Sequence, residues 1–143
     1  MPDRGGAGSL LDLPGFALRR AANVTMGKLA TELAAVDLRI SDATVLLLVG
    51  GRKDLTSSDI GKELDIQRAN MVPVLARLSD AGLVMRVPID RKSQAIVLTD
   101  TGRAKLDQVQ ALVARFEADL LSRIPERQRR HFLPALLALI DPD

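Results

Sequence analysis

The chain has 143 residues, 47% of them hydrophobic and 27% charged, which suits one domain with enough apolar material for a core. It has no cysteine and a single histidine, His131, so disulfides, thiol chemistry and two-histidine or cysteine metal motifs are excluded, and no metal or cofactor is expected. Twenty basic against 18 acidic residues leave only +2, but the surplus is local: residues 52–106 hold ten basic and seven acidic groups, while 1–51 hold five of each and 107–143 hold five against six.

Residues 1–14 are Gly-rich and predict a loose tail. The opening MPDRGGAGSL lacks the apolar stretch of a signal peptide. The longest strongly apolar run, Val45–Val49, is far below the roughly 20 residues of a membrane span, so the cytoplasm is the expected location. From Phe16 to about Val36, Leu18, Ala22, Met26, Leu29, Leu33 and Val36 recur at spacings of three and four and predict an amphipathic helix. A second helix is expected after Ser41 as N-cap, with Asp42 in its first turn and a stop at Gly50-Gly51.

Thr56 and Asp59 form a shortened capping box for a third helix holding Ile60 and Leu64. After a break at Asp65-Ile66-Gln67, a fourth runs from Arg68 or Asn70 to Asp80, with Met71, Val74, Leu75 and Leu78 as its apolar set and Gly82 as its stop. Asn70 as N-cap would put Pro73 in the first turn, where a missing N–H costs little. Leu83–Val87 and Ala95–Leu98 read as a strand pair around a polar tip containing Asp90, Arg91 and Lys92. Thr99 caps a long helix whose Leu106, Val109, Val113, Phe116 and Leu120 approach a heptad seam. Pro125 opens a last helix carrying Phe132, Leu133, Leu136, Leu137 and Ile140, with Pro134 inside it.

The order is therefore mostly α with a small β-hairpin: helix, helix, helix-turn-helix, hairpin wing, long helix, terminal helix. A helix of this kind fits the major groove, and an Arg-bearing hairpin tip reaches the neighbouring backbone or minor groove. On this reading Ser57, Ser58, Arg68, Asn70, Arg77, Arg86, Arg91 and Lys92 are the candidate contacts to duplex DNA. Asp90 caps its own turn or orients Arg91. Residues 15–37 and 100–143 carry apolar stripes that one small winged unit (38–99) cannot cover, which predicts a homodimer through Phe16, Leu18, Leu106, Val109, Val113, Phe116, Leu120, Phe132, Leu133 and Leu136. Phe16, Phe116 and Phe132 are the only aromatic residues, too few for a stacking platform on single-stranded nucleic acid.

The stretch Leu78-x-x-x-Gly82-Leu83-Val84-x-Arg86, then Asp90-Arg91-Lys92, then Leu98-Thr99-x-x-Gly102 resembles the MarR family of bacterial transcriptional regulators, and the helical flanks extend the resemblance over about residues 16–140. The resemblance implies a homodimer on a pseudo-palindromic duplex, acting as a repressor released by a small anionic or phenolic ligand, with a small aromatic acid as the expected effector. It also implies that Asp90 holds Arg91 in place. Two features depart from the family pattern: a wing about two residues short, and Pro73 in place of a polar residue. Polar Arg19, Arg20 and Asn23 beside the first apolar stripe are candidates for an effector pocket, because Arg can clamp a carboxylate. The alternative is a winged-helix module used only for dimerisation or protein contact. No enzyme is expected: there is no GxSxG nucleophile elbow, and His131 stands in a terminal helix.

Overall fold

The expected element order is the observed one. A computed structural model describes residues 8–141. A 3₁₀ turn at Leu10–Asp12 leads into α1 (Pro14–Ala34), α2 (Ile40–Gly51), α3 (Ser57–Glu63), α4 (Arg68–Asp80), β1 (Val84–Pro88), β2 (Gln94–Leu98), α5 (Asp100–Ser122) and α6 (Glu126–Ile140). Of the expected loose tail, residues 1–7 lie outside the described residues. Beyond them the chain is regular: Ser9 accepts the Leu11 N–H at 3.3 Å, and Pro14 is already the first residue of α1, where it loses no helical hydrogen bond.

Two helix starts differ from expectation. Ser41 does not cap α2, which begins one residue before it, at Ile40. Arg39 is the cap position, and its N–H is taken by the Asp42 carboxylate at 2.9 Å. Likewise α4 starts at Arg68 behind Gln67, so Asn70 lies inside the first turn and Pro73 lies well inside the helix. Pro73 is exposed, so its ring displaces nothing in the core, although the Ala69 carbonyl loses its usual N–H partner. The two other expected caps are in place. Thr56 Oγ1 accepts the Asp59 N–H at 3.1 Å while Asp59 accepts the Thr56 N–H at 3.0 Å. These bonds from Thr56, backbone first and hydroxyl second, hold the Asp59 carboxyl below its ordinary value, so the cap stays charged through the neutral range and is lost only in acid.

Three connections turn on aspartates in the left-handed region, Asp37 (φ 61°), Asp54 (φ 59°) and Asp65 (φ 53°). Gly82 (φ 72°) closes α4 with the Leu83 N–H on the Leu78 carbonyl at 2.9 Å. The antiparallel ribbon pairs Val84 with Leu98 through Pro88 with Gln94. On its other side β2 is tied to the loop before α3 by the Ile96 N–H on the Leu55 carbonyl, 2.8 Å.

One core serves the whole subunit. Leu33 of α1, Val45 and Leu46 of α2, Ile60 of α3, Leu78 of α4 and Val109 of α5 are its most enclosed side chains. The winged part and the long helix therefore share a core instead of forming separate ones. This corrects the expected dimer seam: Leu106, Val109 and Phe116 are buried within the subunit, because α5 lies across α1 and α2 and spends that face on them. Val113, Leu120, Phe132 and Leu136 are half-buried, and Phe16, Leu18 and Leu133 are exposed. Along α6 no residue is fully buried, and Ile140 is 76% exposed.

Candidate nucleic-acid interface

The α4 surface follows from its period. At about 100° per residue, Ala69, Pro73, Ala76 and Asp80 form a row opposite the buried Met71, Val74, Leu75 and Leu78. Val72 flanks that row on one side; Asn70 and Arg77 flank it on the other. Arg68, Asn70 and Val72 are exposed.

Beside α4 lies a cleft of about 900 Å³ lined in part by Ser57, Ser58, Arg68, Val72 and Arg86. A second, of about 550 Å³, joins Ser57, Ser58 and Arg86 to the wing residues Arg91 and Lys92. Six of the eight candidate DNA contacts thus line one continuous surface spanning α3, α4 and the wing. Thr56 provides the α3 cap, so the Ser57 and Ser58 hydroxyls are not spent on it. Among the described residues Arg68, Arg86, Arg91 and Lys92 have no carboxylate within ion-pair distance. With Lys62, which also lines the larger cleft without an ion pair among the described residues, they make five cations against Asp65, Asp80 and Asp90, a net positive footprint that suits a polyanion.

Asp90 does the structural task. Its Oδ1 accepts the N–H groups of Lys92 and Ser93, both at 2.8 Å, which folds the tip so that Arg91 projects from it. It makes no ion pair with Arg91 among the described residues. Asn70 is not a helix cap, which leaves its amide on the exposed flank.

Arg77 is not brought to this surface. It turns inward to α2, donating from Nη2 to Asp42 Oδ1 at 2.9 Å and from Nε at 3.3 Å, with Ser41 Oγ at 3.5 Å. Asp42 is only 4% exposed, and its other oxygen holds the Arg39 N–H. One carboxylate therefore ties the start of α2 to the far half of α4. The expected DNA role of Arg77 gives way because a buried carboxylate needs a partner. Residues 35 apart carry no mutual signal in sequence spacing. Gln67 was also missed: its side chain makes no cap bond, and it lines the larger cleft. Arg19, Arg20 and Asn23 are exposed on α1 and line neither cleft.

The model of the MarR family matches residues 36–93. The chain is 35% identical to the transcriptional repressor CouR in its structure bound to a 23-mer DNA duplex, covering 95% of this chain and 97% of that one with a TM-score of 0.82. It is 31% identical to CouR bound to p-coumaroyl-CoA, with coverage of 95% and 97% and a TM-score of 0.83. The HTH-type transcriptional repressor Rv2887 of Mycobacterium tuberculosis is 26% identical over 120 residues, 82% of this chain and 86% of that protein.

Proposed function

The chain belongs to the MarR family of transcriptional regulators, and from that premise we propose that it is a ligand-responsive repressor binding a pseudo-palindromic duplex as a homodimer. The carrying observation is the single surface that gathers Ser57, Ser58, Arg68, Arg86, Arg91 and Lys92 around the exposed face of α4. In this reading α4 enters the major groove, the wing tip meets the flanking backbone or minor groove, and the two serine hydroxyls donate to phosphate. Asn70 offers its amide to an adenine edge. Two-fold symmetry then sets the half-sites roughly one helical turn, about 34–36 Å, apart. The chain is read as a regulator and not as an enzyme.

The effector is proposed to be a small aromatic acid or its thioester, the chemistry carried by p-coumaroyl-CoA in the CouR complex. Arg19, Arg20 and Asn23 are proposed to meet its anionic part on the α1 side. The test is binding to a cognate duplex across a salt series, with and without p-coumaroyl-CoA. A steep log–log loss of affinity with salt is expected, together with release by the thioester. An affinity indifferent to salt would leave only the protein-interaction module. Arg91→Ala should weaken binding to every duplex and lower the salt slope by about one. An unchanged slope would mean that the short wing does not reach DNA.

Dimerisation is proposed through α6 and the outer face of α1, where Phe16, Leu18, Leu133 and Leu137 are exposed. A dimer is expected in sedimentation at micromolar concentration, and deletion of residues 125–143 should bring aggregation or unfolding. A well-folded, monodisperse monomer of the full chain would remove this interface.

A further inference from the structure

We propose that Val72 and Pro73 of α4 read the C5-methyl groups of thymine, so that each half-site is selected in part by apolar contact within the groove. The inference rests on the DNA-binding reading above and goes beyond it. The row that a helix turns into a groove decides what it can read. Here that row is Ala69, Pro73 and Ala76, and none has a side-chain donor or acceptor. Asp80, at its far end, is an anion that the phosphates repel. The major groove displays one apolar mark besides its donors and acceptors, the thymine methyl.

Val72 is built to meet that mark. It is 62% exposed on the flank of the row, and its β-branch holds its methyls in one rotamer within a helix. Isolated exposed apolar residues are ordinary. This one stands between Ala69 and Ala76, three residues before and four after it on the helix surface, and those small side chains leave room for close approach. Arg68, Arg86, Arg91 and Lys92 have no carboxylate partners among the described residues, which supplies phosphate anchoring but no sequence information.

The experiment uses the full-length chain and duplexes that it selects from a random pool. Each thymine of the selected duplex is replaced by uracil, which deletes the methyl and nothing else. At one position per half-site, affinity should fall about fourfold for one replacement and about fifteenfold for the symmetric pair, the equivalent of one buried methyl each. Val72→Ala, with its melting temperature checked, should bind the thymine duplex more weakly and no longer distinguish uracil at that position. A sequence-specific complex indifferent to every uracil replacement overturns this proposal alone. So does uracil sensitivity that survives intact in Val72→Ala. Selection that enriches no duplex overturns the DNA-binding reading and this proposal together.

Discussion

Gly102→Ala is expected to destabilise the fold by about 3 kcal/mol, lowering the melting temperature by about 6–12 °C. Helix propensity alone points the other way, because alanine in a helix gains about 1 kcal/mol over glycine. Tertiary contact decides the sign. A Cβ at position 102 would overlap the Leu83 carbonyl oxygen and crowd the Leu83 carbonyl carbon at 2.9 Å, and backbone atoms cannot swing aside. The same junction is fastened by Thr99, whose N–H donates to the Leu83 carbonyl at 3.1 Å. Its hydroxyl donates to the Gly82 carbonyl at 2.5 Å and accepts the Gly102 N–H at 2.9 Å. The start of α5 is thus bolted to the end of α4, and displacing it moves the helix proposed to enter the groove. A thermal melt that rises in Gly102→Ala would show that this close approach is not maintained in solution.

Arg77→Met should cost about 2–3 kcal/mol. Breaking a buried ion pair by removing one partner costs about 3–5 kcal/mol, and the figure is reduced here because the Arg77 side chain is 34% exposed and water screens it. What remains is the burden of Asp42, nine-tenths buried and left with only the Arg39 N–H. Pairing Arg77→Met with Asp42→Leu should restore most of the loss, since an apolar pair needs no desolvation. Chemical denaturation of the four proteins measures the cycle. DNA binding separates this structural role from a direct one: at a temperature where Arg77→Met is folded, its salt slope should match the parent. A slope lower by about one would put Arg77 on a phosphate after all.

Sequence patterns revealed most of what depends on neighbours along the chain. The Thr56–Asp59 box, the Thr99 cap, the Gly82 stop and the hairpin around Asp90 are local devices, and each is where its spacing predicts. Local rules failed where tertiary contact chose between local options. Ser41 is as good a cap by composition as any, yet Asp42 is drawn into the core by Arg77, and that starts α2 earlier. Pro73 argued for a late start to α4, but on an exposed face it costs one hydrogen bond and no packing, so the helix runs through it. The Leu106–Leu120 periodicity correctly marks an apolar face and is silent about what covers it. That cover is the subunit's own core for Leu106 and Val109, and Phe116 is likewise buried within the subunit. Six of the eight candidate residues share one surface because the helix-turn-helix and wing order itself places them together.

The wing has one further property. Its β2 strand is occupied on both sides, by β1 and by Leu55, while β1 borders open solvent with Met85, Arg86, Val87 and Pro88 exposed. An unpaired strand with apolar side chains invites a strand from another copy to add to it. Here Pro88 has no N–H to offer such a strand, and Arg86 sets a charge in the middle of the open border. A ribbon that would otherwise seed stacking between molecules is thereby kept two strands wide, and the cation that keeps neighbouring copies off it also lines both clefts of the candidate DNA surface.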